Sequence, residues 1–265
     1  MKSGSAAGIG TVFLVGAGPG DPELLTVRAH RLLSSANVLA HDELVPAELL
    51  ALAPREAERI PVGRRAGGCR HHDVDIHPLV VARARAGLDV VRLKGGDPSI
   101  FGRVGEEAAA LARAGVPFEI VPGISAALGA AASTAIPLTL RGVAASVTLV
   151  TAHGRGDLAD DGVAKLAARV PREGTIVVYM GLGRLAETCR ALVAAGRARR
   201  TPAAVVAHAT LPDERVVEGT LGTLAARVAA LTPPLTAPAL LVVGEVVAHR
   251  AALVARSATA GSIAC

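Results

Sequence analysis

In 265 residues the chain has no tryptophan, one tyrosine and three phenylalanines. A surface that stacks single-stranded bases needs several aromatics side by side, so composition argues against a nucleic-acid partner. With hydrophobic residues at 51%, the core must come from Ala, Val, Leu and Ile instead. Cysteine is also scarce. Cys69, Cys189 and Cys265 are too few and too scattered for a disulfide framework, which fits a reducing, cytoplasmic compartment. Only Lys2, Lys94 and Lys165 are lysines, so arginine carries nearly all of the positive charge behind a net +5. A guanidinium fork binds carboxylate or phosphate in bidentate fashion. Ala and Arg are enriched together along the whole chain, however, and the total charge reads first as compositional bias. No apolar run is suited to a membrane. TVFLV at 11–15 is too short for a leader and runs into glycines. The uncharged stretch 120–140 is broken by Pro122, Gly123, Ser125, Ser133, Thr134 and Pro137, and reads as a buried turn, helix and loop.

What is present is alternation. Strand-like runs at 11–15, 37–41, 89–93 and 117–121 are separated by segments of helical period. Those helices fall at 23–34, 74–86 and 105–114, and another begins at Ser125. Asp21 and Pro22 are placed to cap and open the first of them. The pattern predicts an α/β fold with a largely parallel first sheet. It resets around 137–144. Strand candidates follow at 146–153, 175–180, 203–208, 214–219 and 239–247, with helices near 162–169, 184–195 and 221–231. The runs at 203–208 and 214–219 leave no room for a helix between them, which predicts antiparallel pairing and a mixed second sheet. The expected division is an N-terminal α/β domain at 11–140 and a C-terminal one at 141–250. Residues 1–10 and 257–265 are expected to be flexible tails, and the active site to lie in a cleft between the domains.

Three turns at strand ends carry the chemistry. In TVFLVGAGPGDPELLT, Gly16, Gly18 and Gly20 follow a strand, as a turn would that lets a ligand approach the backbone. Asp42 lies about where a dinucleotide-binding fold places its ribose-binding acid. The spacing is G-x-G-x-G rather than G-x-G-x-x-G, and Pro19 and Pro22 interrupt the helix start. In VVRLKGGDPSIFGR a second strand ends at Gly95-Gly96, followed by Asp97-Pro98, where the acid either meets a cationic ligand group or organises the turn. VPGIS at 121–125 is a third such turn. Ligands of open α/β sheets bind beyond the carboxyl ends of the strands, so three such turns point to one site.

GAGPGDPELLT, HDELV, VGRRAGG, RLKGGDPSIFGR, VPFEIVPGIS and IPLT occur in this order. Together they resemble the tetrapyrrole methylase superfamily and, within it, the uroporphyrinogen-III C-methyltransferase branch. The resemblance spans roughly 11–250. It implies a two-domain fold, usually in a homodimer, and S-adenosylmethionine as methyl donor with no metal. The acceptor it implies is a tetrapyrrole with many carboxylates, methylated at C2 and C7 to give precorrin-2. Cofactor contacts would fall on Pro19, Gly95, Gly96, Asp97, Ile100, Ser125, Ala126, Met180, Ala209 and Ala239. Asp42 would accept a proton. Substrate carboxylates would be held by Arg64, Arg65, Arg103 and Arg141.

The chain also departs from that pattern. Arg64 stands where the family has a lysine proposed as proton donor, and a guanidinium is a poor proton shuttle. It is expected to act as a fixed charge holding a carboxylate. Ser125 replaces a threonine and keeps the hydroxyl, while Ser99 and Val104 replace an aromatic and a glycine. In CRHHDVDIH, the residues Cys69, His71, His72, Asp73, Asp75 and His77 crowd together without a familiar zinc spacing, and a solvated loop is expected. Phe101 is expected in the core, and His153 and His208 in structural roles. The alternatives are a related methylase acting on another precorrin and an NAD-dependent oxidoreductase.

Overall fold

The computed structural model describes residues 8–62, 75–152 and 158–254. The chain forms two compact units that divide between Ser125 and Ala126. Residues 126–140, placed by the sequence with the first domain, therefore fold with the second.

The first unit is built on five parallel strands: β1 (Val12–Gly16), β2 (Val38–His41), β3 (Glu58–Pro61), β4 (Val90–Lys94) and β5 (Phe118–Val121). Their order is β3-β2-β4-β1-β5, with β4 in the middle. Alternation along the strands sends one set of side chains to each face. On one face Val15, Leu39, Val91 and Leu93 pack with Ala29 and Leu33 of α1 (Val27–Ser34) and Leu49 of α2 (Ala47–Leu50). On the other, Val12, Leu14, Val38, Ala40 and Val90 pack with Val80 and Ala84 of α3 (Pro78–Arg85) and Leu111 of α4 (Val104–Arg113). The helices following the neighbours β1 and β4 thus lie on opposite faces. That makes the β1/β4 boundary the topological switch point, the place beyond the strand ends where open α/β sheets bind their ligands.

The helix expected at 23–34 is broken. Asp21 accepts a bond from the Glu23 amide over a short 3₁₀ turn at Pro22–Leu24, Leu25 is extended, and Thr26 starts α1 afresh by accepting from the Ala29 amide. α2 and β3 were not expected from the sequence. Each is only four residues long, too short for a clear period. The helix expected from Val74 begins at Pro78, with His77 as its cap.

The second unit begins with α5 (Ala126–Thr134). Its sheet holds β6 (Val147–Thr151), β7 (Thr175–Tyr179), β8 (Pro202–Ala207), β9 (Arg215–Thr220) and β10 (Ala239–Val243) in the order β6-β7-β10-β8-β9. β6 and β7 are parallel, and every other pairing is antiparallel, including β8 with β9 as the short connection required. The strand expected at 239–247 stops at Val243, and a 3₁₀ turn covers Glu245–His249. The helices are α6 (Leu158–Arg169), α7 (Leu185–Ala194) and α8 (Leu224–Ala229). Leu185, Cys189 and Leu192 of α7 and Leu224 of α8 meet Ile176, Val178, Val205 and Leu241 of the sheet. Burial pushes the Cys189 thiol up to about 11, so this cysteine behaves as a small apolar side chain. No helix among the described residues is long and apolar enough to cross a membrane.

One buried arginine fastens this unit. Arg197 gives bonds from Nε and Nη2 to the Pro171 carbonyl at 3.2 and 2.8 Å. It also reaches the carbonyls of Gly174 at 3.0 Å and Glu173 at 2.9 Å, closing the loop before β7. Burial pulls its pKa down, and these carbonyls solvate the charge in place of water. Replacing Arg197 by methionine strands several carbonyls, with an expected loss on the order of 3 kcal/mol in urea denaturation. Arg197→Lys should recover only part of that loss, since an ammonium cannot reproduce the fork.

Candidate active site

At the carboxyl end of the first sheet, three backbones touch. Gly18 and Gly96 form an antiparallel bridge, with amide-to-carbonyl distances of 3.2 and 2.8 Å, and the Ala17 amide donates to the Lys94 carbonyl at 2.7 Å. A Cβ on Gly16 would stand 2.6 Å from the Gly123 Cα, and one on Gly123 would stand 2.4 Å from the Gly96 oxygen. Asp97 braces the arrangement. One carboxylate oxygen accepts the Ser99 amide at 2.8 Å and the other the Gly123 amide at 3.0 Å, tying the turn after β4 to the turn after β5. The three turns singled out in the sequence are therefore one structure, with Pro19, Gly95, Gly96, Asp97, Ile100 and Ser125 all on it.

Gly95 differs from its neighbours. A Cβ there would meet nothing within 4 Å, and its φ is not in the left-handed range. The fold itself does not require glycine at 95. Just beyond, Phe101 (φ 53°) and Arg103 (φ 57°) are both left-handed, an unfavourable conformation for these residues that tends to persist at functional sites. Phe101 is 39% exposed rather than in the core, because that backbone turn carries it outward. Arg103 pairs with Glu106 at 3.0 Å and lies 3.9 Å from Asp75, which also holds Arg113 at 2.7 Å.

Asp42 follows β2 and its amide donates to the Leu93 carbonyl. The alternation that turns Ala40 and Val90 toward α3 and α4 sends Asp42, Arg92 and Lys94 to that same face. There Glu107 of α4, one turn before Leu111, completes a row of four charges. Arg92 Nη2 donates to Asp42 Oδ1 at 2.6 Å and to Glu107 Oε1 at 3.0 Å, and Lys94 Nζ lies 2.9 Å from Glu107 Oε2. Lys94, Arg92 and Glu107 are each exposed by less than a tenth of their side-chain surface, and Asp42 at the end of the row by 31%. Burial would lower the Arg92 pKa, but the charges of Asp42 and Glu107 outweigh it and raise the value. Burial, then the like charge of Arg92, pull Lys94 down. Arg92, Lys94 and Glu107 were not among the expected site residues. The signal was there in two cations alternating through the otherwise apolar strand of DVVRLKGG.

In the second unit, β6, β7 and β8 run in one direction and β10 against them. Met180 just after β7, Ala209 just after β8 and Ala239 at the start of β10 therefore lie along one edge of that sheet. Ala239 is opposite Ala207 in register. Tyr179 is drawn to the same place, its hydroxyl accepting the Ala127 amide at 3.2 Å, which brings Ala126 to this edge. Met180, His208 and Thr210 all have positive φ here. His208 is held by Asp213, with its Nε2 3.1 Å from both the Ala237 carbonyl and Thr236 Oγ1. Arg141 is exposed in the turn before β6. Arg64, Arg65, Cys69, His71, His72, Asp73 and His153 lie outside the described residues.

The oxidoreductase alternative needs a helix N-terminus directly behind the glycine turn, to receive a pyrophosphate. Here α1 starts only at Val27, behind a 3₁₀ turn. The comparisons agree with this. Residues 11–225 match the family model for tetrapyrrole (corrin/porphyrin) methylases. A uroporphyrinogen-III C-methyltransferase from Paracoccus denitrificans is 47% identical over 242 residues, covering 91% of this chain and 83% of that protein. A siroheme synthase from Chromobacterium violaceum is 49% identical over 93% of this chain but only 52% of its own length. The chain spans about half the length of several such curated relatives. Among solved structures, uroporphyrin-III C-methyltransferase from Thermus thermophilus, complexed with S-adenyl homocysteine, aligns with a TM-score of 0.74 at 43% identity. That alignment covers 90% of this chain and 99% of the other. Switch-point turns, sheet orders and sequence thus lead to one family, and the chain belongs to the tetrapyrrole (corrin/porphyrin) methylases.

Proposed function

We propose that this chain transfers methyl groups from S-adenosylmethionine to C2 and C7 of uroporphyrinogen III, giving precorrin-2, and that it works as a cytoplasmic homodimer. The observation that carries the cofactor part is Gly95. Neither sterics nor φ demands glycine there, and the open space its missing Cβ leaves, at the switch-point end of β4, is what a ligand lying against the backbone would fill. The names of the Paracoccus and Thermus proteins support the choice of acceptor.

When bound, S-adenosylmethionine supplies an electrophilic methyl carbon on a sulfonium. The chain's own task is to align an electron-rich pyrrole carbon with that methyl at near-attack distance. Pro19, Gly95, Gly96, Ile100, Ser125 and Ala126, with Met180, Ala209 and Ala239, are the residues we assign to cofactor binding. Asp97 belongs with them and keeps Gly96 and Gly123 together. Asp42 is the proton acceptor after attack. Arg92 occupies its Oδ1, and the side chain remains partly open to solvent. Arg64, Arg65, Arg103 and Arg141 hold substrate carboxylates, where the guanidinium fork suits the partner.

Anaerobic incubation with uroporphyrinogen III and methyl-labelled S-adenosylmethionine should place two labels on the tetrapyrrole by mass analysis. An unlabelled tetrapyrrole, with cofactor still bound, would assign the chain to another acceptor. Asp42→Asn should lower turnover by about 10²-fold or more while leaving cofactor affinity intact. Unchanged turnover would remove Asp42 from the mechanism.

The glycines should separate by role. Gly95→Val is expected to fold normally, as judged by its thermal transition, and to lose cofactor binding in calorimetric titration. Gly123→Ala should lose stability as well, because its new methyl meets backbone that cannot move aside.

A further inference from the structure

Four charges gathered between the middle strand of a parallel sheet and the helix that covers it need a reason. A buried ion-pair network seldom stabilises a fold more than well-packed apolar residues of similar volume would. The positions at issue are ones where Val or Leu would extend the core already formed by Val90 and Leu111. Three of the four side chains are almost wholly buried, and the fourth, Asp42, is partly exposed. The row begins under the Gly95-Gly96 turn and ends at that carboxylate.

The geometry shows how the inner pair acts on the outer one. Arg92 Nη2 is shared by two carboxylates and lies closer to Asp42, at 2.6 Å, than to Glu107, at 3.0 Å. Glu107 divides its oxygens: Oε1 accepts from Arg92, and Oε2 forms an ion pair with Lys94 Nζ, 2.9 Å away. With Lys94 present, the Glu107 charge is already neutralised from the far side, and the like charge of Lys94 disfavours leaving Arg92 without a second anion. Without Lys94, Glu107 would be a full buried anion next to the guanidinium, able to draw Nη2 inward and release Asp42.

We propose that Lys94 and Glu107 are positioning residues for the methyl transfer, setting through Arg92 where the Asp42 carboxylate stands. This rests on the reading of Asp42 as the proton acceptor. Neither residue need touch the tetrapyrrole. Their effect is confined to the step that Asp42 serves, because a catalytic group displaced by about 1 Å can cost about 10²-fold in rate without changing substrate affinity.

The test is a double-mutant cycle on the full chain, with methyl transfer followed under single-turnover conditions and S-adenosylhomocysteine binding followed by calorimetry. Lys94→Met should lower the single-turnover rate constant by about 10- to 10²-fold, with the half-saturating S-adenosylmethionine concentration and the affinity for S-adenosylhomocysteine unchanged. Lys94→Arg, which keeps the charge, should recover most of the rate. In an Asp42→Asn background Lys94→Met should cost nothing further, since its route of action is gone. Glu107→Gln keeps the shape and removes the charge, and it should show the same lack of additivity if Lys94→Met does not fold. Losses that multiply across the two backgrounds, or a rate loss matched by a loss of S-adenosylhomocysteine binding, would overturn the positioning role alone. Full turnover of Asp42→Asn would overturn the proton-acceptor reading, and this proposal with it.

Discussion

The carboxyl end of the first sheet depends on three stretches of backbone that touch where side chains would normally keep them apart. Gly16, Gly96 and Gly123 come from three neighbouring strands, and a methyl group on the first or last would collide with main chain. Because these contacts are possible, the turns after β1 and β4 can pair through Gly18 and Gly96, and Asp97 can reach the Gly123 amide. The consequence is a closely packed floor at the switch point, made mostly of backbone. Such a floor suits a ligand that must be oriented to a fraction of an ångström, since no long side chain has to be frozen to build it.

The second constraint is electrostatic and lies just beneath. A parallel sheet covered by helices on both faces is normally apolar throughout its middle strand. Here Arg92 and Lys94 occupy that strand, and they are tolerated because Glu107 and Asp42 balance them charge for charge. Removing one member would leave an uncompensated buried charge, which costs far more than a surface ion pair. The same balance orients the one carboxylate of the row that solvent reaches, so the fold's most demanding electrostatic feature and its proposed proton acceptor belong to a single network.

The second unit positions its residues by a simpler device. β7 and β8 run one way and β10 between them runs the other, which brings two strand ends and a strand start to a common edge. Met180, Ala209 and Ala239 meet there although they are far apart in sequence. The positive φ values at Met180, His208 and Thr210 show the backbone turning sharply as it leaves the strands. Nothing in the local sequence demanded those turns, for none of the three is glycine.

The sequence alone determined the α/β class, the parallel and mixed sheets, and the three glycine turns, because hydrophobic period and turn chemistry are local properties. Its distinctive strings were enough to point to the family. It missed α2 and β3, which are too short to show a period. It also ran one helix through Leu25, where Thr26 in fact starts a new one. The division at Ser125 was likewise invisible, since α5 is apolar all round and only its packing against the second sheet decides where it belongs. Tertiary structure alone decided which glycines serve the backbone and which leaves space, for that depends on what stands opposite a missing Cβ. It alone joined Asp42, Arg92, Lys94 and Glu107, because charges from two strands and a helix become one network only when the sheet order sets β2 beside β4 and α4 packs across them.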